Sequence, residues 1–150
     1  MPDLPKRKVG LISCSGEELA EGTVTRRAVR KVLETLRPGD TVTLCLPLFL
    51  AGGEGERAFA RHYPTIAVDG CDKRCAALAT EKYSAKPAAS VVVTEVAEAS
   101  GRGAIGTARR LNEEGLRLAD AVAGRIAEET DRLLKRKPGN AGPASGRGAR

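Results

Sequence analysis

The sequence predicts an α/β fold: a single three-layer domain with a mostly parallel sheet of about four strands, helices on both faces, a long C-terminal helix and a disordered tail. Three observations carry this. Short β-branched runs alternate with helical stretches, so successive strands need crossover connections and lie parallel. Each run is bounded by turn-forming residues. The chain has 150 residues and 41% hydrophobic content, enough for one core. Aromatics make up only 3% and Trp is absent, so that core is built from Val, Leu, Ile and Ala.

The first strand is Val9-Gly10-Leu11-Ile12, followed by a helix from Val24 to Leu36. The second is Thr41-Val42-Thr43-Leu44, followed by a helix from Glu56 to about His62. The third is Thr65-Ile66-Ala67-Val68. All three are short and apolar, as buried parallel strands are. A fourth strand is expected over Ser90 to Val96. After a Gly-rich loop, Leu116, Ala119, Val122, Ala123, Ile126, Leu133 and Leu134 recur at largely helical spacing, weakened by Gly115 and Gly124. This helix is expected to cover one face of the sheet; a homodimer seam is its alternative use. The expected organisation is a flexible N-terminus over residues 1–8, a domain over 9–136 and a disordered basic tail over 137–150.

Cys14, Cys45, Cys71 and Cys75 each fall where an apolar run gives way to a loop or a first helical turn. In a parallel sheet the residues closing successive strands share one edge, where open α/β folds place their ligands. Cys14, Cys45 and Cys71 are therefore expected together, most easily if the first strand lies between the other two. Cys75 follows Cys71 by four positions, one turn along the same face if a helix beginning near Asp72 carries both. Four thiolates at one edge point to Zn2+, whose bonds to sulfur of about 2.3 Å require the loops to lean inward. Lys73, Arg74 and the amides of that helix could then balance the site's negative charge. Alternatives are an iron–sulfur cluster, a Cys71–Cys75 dithiol redox pair, and four cysteines acting only as small buried hydrophobes. The gaps match no ferredoxin pattern.

Asp69-Gly70-Cys71, continuing as Asp72-Lys73-Arg74-Cys75-Ala76, resembles the signature of the zinc-binding domain family named for its Asp-Gly-Cys (DGC) motif. Ser13-Cys14-Ser15-Gly16, the Cys45-Leu46-Pro47 segment and Tyr63-Pro64-Thr65 are similar to it as well. The resemblance runs over roughly residues 8 to 134. It implies a thiolate-rich, zinc-binding α/β domain with Cys14, Cys45, Cys71 and Cys75 as metal ligands, and it implies no particular activity.

The formal charge of +6 sits mainly outside the body. Lys135, Arg136, Lys137, Arg147 and Arg150 lie at the C-terminus, and Lys6, Arg7 and Lys8 outweigh Asp3 at the start. The near-neutral body between them argues against specific nucleic-acid binding. No signal-peptide pattern or membrane-length apolar run is present, so a cytoplasmic location is expected, where thiols stay reduced. Gly101-Arg102-Gly103-Ala104-Ile105-Gly106 matches the dinucleotide fingerprint by letter, but no strand follows it, so a flexible connector is the expected reading. Glu17, Glu18 and Glu95 are the candidate proton carriers, and His62 reads as a helix C-terminal residue. Two function classes stay open. One is an accessory or structural metal-binding domain that meets a protein partner. The other is a metal- or thiol-dependent transferase or redox enzyme acting on a small soft substrate, with unknown catalytic residues.

Overall fold

A computed structural model describes residues 7–135 of the chain. The tail expected over 137–150 and most of the flexible start expected over 1–8 lie outside the described residues. The observed order is β1 (Val9–Ser13), α1 (Ala20–Lys31) with a closing π-helical turn (Val32–Leu36), β2 (Thr41–Thr43), and three short helices, α2 (Leu46–Ala51), α3 (Glu54–Arg57) and α4 (Phe59–His62). Then come β3 (Thr65–Asp69), α5 (Cys75–Tyr83), β4 (Ala89–Val92), α6 (Val93–Ala99) and α7 (Glu113–Leu133).

The four strands form one parallel sheet in the order β2-β1-β3-β4. The first strand is thus flanked by the second and third, as expected. Alternation along β1 and β3 sends residues to opposite faces. Leu11, Ile66 and Val68 join a large core with α1, α6 and α7, whereas Ile12 and Ala67 join a small one with Leu46, Phe49, Ala76 and Ala77. The second core is thin because the alanines of α5 let that helix lie close to the sheet. On the other face α7 buries Leu118, Ala119, Val122, Ala123 and Ile126. A paired contact holds it to the end of the π turn: Arg37 Nε and Nη2 donate to Asp131 Oδ1 and Oδ2 at 2.8 and 2.7 Å.

Several boundaries differ from the sequence expectation. The first helix starts at Ala20, four residues before Val24, because Ala20 is already buried against the large core. The last strand stops at Val92 and not Val96: Val93, Val96 and Ala97 recur at helical spacing and pack on the large core as α6. On α7 the buried residue is Leu118, while Leu116 is 40% exposed. Among the described residues no helix is long and apolar enough to cross a membrane.

Candidate metal centre

The carboxyl edge of the sheet holds all four cysteines, each placed by a different piece of backbone. Cys14 follows β1 directly, and its N–H donates to the Val68 carbonyl at 2.9 Å, extending the β1–β3 pairing by one residue. Cys45 lies two residues beyond β2 as the N-cap of α2, where its carbonyl accepts the Phe49 N–H at 3.0 Å. Cys71 lies two residues beyond β3, and its carbonyl accepts the Arg74 N–H at 3.2 Å in a tight turn. Cys75 is the first residue of α5.

One expectation is corrected here. Cys71 and Cys75 do not share a helix, and no helix begins near Asp72. The turn after Cys71 ends on Arg74 in the left-handed region at φ 52°, and α5 starts only at Cys75. Such a reversal interrupts the helical path, so the i, i+4 relation between the two thiols does not apply. The loop between them sets their relative positions instead.

All four cysteines are free thiols. Cys14 and Cys71 are half-buried, whereas Cys45 and Cys75 are exposed. Three of them border the same small core. Cys14 packs directly against it, Leu46 next to Cys45 is buried in it, and Ala76 next to Cys75 is buried in it. Among the described residues, no three His, Cys, Asp or Glu side chains stand close enough to hold a metal ion together. The donor set nevertheless suits zinc in kind, being four thiols with no competing imidazole. His62, the single histidine, ends α4 at the amino edge of β3, with its ring against Tyr63.

The β1–α1 loop that carries Cys14 is pressed onto the helix. A Cβ built on Gly22 would stand 2.7 Å from the Gly16 carbonyl carbon, so glycine is required where loop and helix backbones meet. Arg26 reaches back from α1 to the Ser15 carbonyl and to Glu17. The Cys14 sulfur lies 3.7 Å from the Thr25 hydroxyl, which is itself 2.6 Å from the Gly22 carbonyl. Either the thiol or the hydroxyl can donate across the Cys14–Thr25 contact. Burial pushes the Cys14 thiol above its ordinary range. Hydrogen bonding from the Gly70 backbone and Thr25 offsets part of that rise, and the neighbouring charges of Asp69 and Cys75 add to it.

The three residues of the Asp-Gly-Cys motif therefore have separate tasks. Asp69, only 1% exposed, accepts the Ala76 and Ala77 amides of α5 at 2.7 and 3.1 Å. Burial raises its carboxyl, and those two amides together with Arg74 pull it back. Gly70 packs against the first turn of α1, where a Cβ would come within 2.9 Å of the Glu21 and Gly22 backbone. Cys71 supplies a thiol. Sequence reasoning missed the parts of Asp69 and Thr25. Asp69 shows as the one charged residue closing an otherwise apolar strand, but Thr25 has no such signal.

Of the three candidate proton carriers, Glu17 is an exposed partner of Arg26, Glu18 is exposed in the same loop, and Glu95 is exposed in the first turn of α6. None adjoins a cysteine in the chain. The Gly101–Gly106 segment follows α6, not a strand as expected, because β4 stops early. Gly106 bridges to Leu111, and Thr23 on α1 donates to the Ala108 carbonyl, so the loop is tied down between two helices.

No curated protein and no solved structure matches the chain. The DGC domain model matches residues 10–116, from the second residue of β1 to the first turn of α7. That span holds all four cysteines and covers more than half of the sequence, and the chain belongs to the DGC domain family.

Proposed function

We propose that this protein is a zinc-binding domain whose metal is held by Cys14, Cys45, Cys71 and Cys75 at the carboxyl edge of the sheet, in an accessory or structural role. The observation that carries this is the meeting of Cys14 with the immediate neighbours of Cys45 and Cys75 on one small core, with Cys71 beside them after β3. Cys45 and Cys75 are exposed. Bound zinc would supply a fixed tetrahedral junction between three strand ends and the start of α5. Four thiolates leave no open coordination position, which favours the structural role over catalysis. The surface around the site then serves a protein partner inside the cell, with no membrane and no specific nucleic acid involved.

The exposure of Cys45 and Cys75 supports a second reading. In it one of these thiols stands aside from the metal and meets a small soft substrate, as in a thiol-dependent transferase or redox enzyme.

Elemental analysis of the reduced protein with a thiol titration tests the proposal. The expected result is about one zinc per chain, four protected thiols and a strong loss of affinity in Cys45→Ser. Iron with a visible charge-transfer band would replace zinc by a cluster. Four freely reacting thiols and no metal would remove the site. Retention of zinc in Cys45→Ser would favour the second reading.

A further inference from the structure

We propose that Asp69 is a positioning residue for Cys75, a strut that fixes where this thiol stands relative to the end of β3. The inference rests on the metal reading above and extends it to a residue that is not itself a ligand.

Helices are normally capped by the residue just before them. Here that residue is Arg74, whose backbone is left-handed and whose side chain makes no cap. It reaches instead to the Ser90 hydroxyl on the neighbouring strand, at 2.8 Å. The cap comes from farther away. Asp69 closes β3, and each of its carboxylate oxygens accepts one amide from the first turn of α5, at Ala76 and at Ala77. These residues directly follow Cys75, so two parallel hydrogen bonds tie the backbone just after Cys75 to a carboxylate rooted in the middle of the sheet.

The same carboxylate closes the loop that carries Cys71. Residues 70–74 leave the end of β3 and return to α5, and Asp69 joins the two ends of that excursion. A serine or threonine at position 74 could cap the helix without burying a charge, but it would cap locally and leave the helix free to shift against the strand. A carboxylate that is 1% exposed is an expensive cap unless its place matters. What it adds over a local cap is registration of Cys75 against the end of β3 and, one strand away, Cys14.

Zinc affinity, measured by competition with a chromophoric chelator, tests the strut. Asp69→Asn keeps the side-chain shape but turns an NH2 group toward an amide donor, so one of the two bonds is lost. Its affinity for zinc is expected to fall about 10- to 100-fold, as when an outer-shell partner is removed. In a Cys75→Ser background the same change is expected to add little, whereas in a Cys45→Ser background its full effect persists. Unaltered affinity in Asp69→Asn, or an equal loss in both backgrounds, overturns the proposal.

A second measurement needs no variant. First-turn amides of a helix ordinarily lack partners and exchange quickly. In the zinc-loaded protein Ala76 and Ala77 are expected to be protected from hydrogen exchange, and rapid exchange at both overturns the strut even if Asp69→Asn fails to fold. If the unaltered protein takes up no zinc, the metal reading fails first and separately, because protection of these two amides still reports the strut by itself.

Discussion

Two glycine-to-alanine changes, chemically identical, should move stability in opposite directions. Gly22 lies in the first turn of α1 with the Gly16 backbone against it, and Gly124 lies within α7 with nothing within 4 Å of where a Cβ would stand. At Gly124 only helix propensity and chain entropy act, and Ala is expected to stabilise by about 0.5–1 kcal/mol. At Gly22 the same gain is at most about 1 kcal/mol, but the new methyl overlaps the Gly16 Cα and carbonyl oxygen even more closely than the carbonyl carbon at 2.7 Å. Reaching ordinary carbon contact, about 3.5–4.0 Å, requires the loop to retreat by well over about 1 Å. Overpacking of this kind costs about 1–3 kcal/mol, and the retreat also strains the Arg26 bond to the Ser15 carbonyl, worth about 1 kcal/mol. The net expectation for Gly22→Ala is a loss of about 1–2 kcal/mol. Urea unfolding of the reduced, chelator-treated protein measures both, with an unchanged m-value as the check that the folded state is comparable. A Gly22→Ala protein as stable as the parent, or a destabilised Gly124→Ala, refutes the reasoning about backbone approach.

Arg37→Ala removes two charge-assisted bonds to Asp131, each partner about a quarter exposed, and is expected to lower stability by about 1–2 kcal/mol in the same assay. Asn112→Ala deletes the cap of α7, where Oδ1 accepts the Gly115 N–H at 2.9 Å and Nδ2 donates to the Ala104 carbonyl at 3.0 Å. A loss of about 1–2 kcal/mol is expected by thermal unfolding. In the metal-free reduced protein, exposed Cys45 and Cys75 should be alkylated first and half-buried Cys14 last. Labelling at Cys14 should keep accelerating above pH 9.0, the ordinary thiol value. A mass-spectrometric time course between pH 7 and 10 checks the order, and Cys14 reacting alongside the exposed pair would contradict it. The raised Cys14 value also carries a sign for stability. The unfolded chain releases this proton first, so the metal-free fold should weaken as pH climbs through 9.0.

The sheet was readable in the sequence because β1 and β3 have continuous buried apolar interiors between sharp boundaries. Val9, Leu11, Ile12, Ile66, Ala67 and Val68 are all buried as their runs implied, and the position of β1 between β2 and β3 followed from where the cysteines had to stand. What did not show depends on contacts distant in sequence. Val91-Val92-Val93-Thr94 has strand propensity throughout, yet packing of Val96 and Ala97 on the large core turns the chain into a helix at Val93. Nothing about an arginine at position 74 signals a left-handed residue, since the turn is fixed by the Asp69 bonds and the reach to Ser90. The placement of Cys14, Cys45 and Cys71 after successive strands was legible from topology, whereas Cys75 was expected there through a shared helix that the structure does not have. Their separation within that edge depends on loop geometry that residue spacing does not encode.

The span matched by the family ends at residue 116, while α7 runs on to Leu133. Leu118, Ala119, Val122, Ala123 and Ile126 all lie past that end, and they plug the interior between α1 and the strands. A shortened polypeptide stopping at the family limit would bare the large core where α7 packs against α1, β3 and β4, with a greasy slab in place of a lid. Anyone trimming this protein for expression should keep the chain through Leu133, because the borders of sequence kinship and of self-sufficient folding fall at different places.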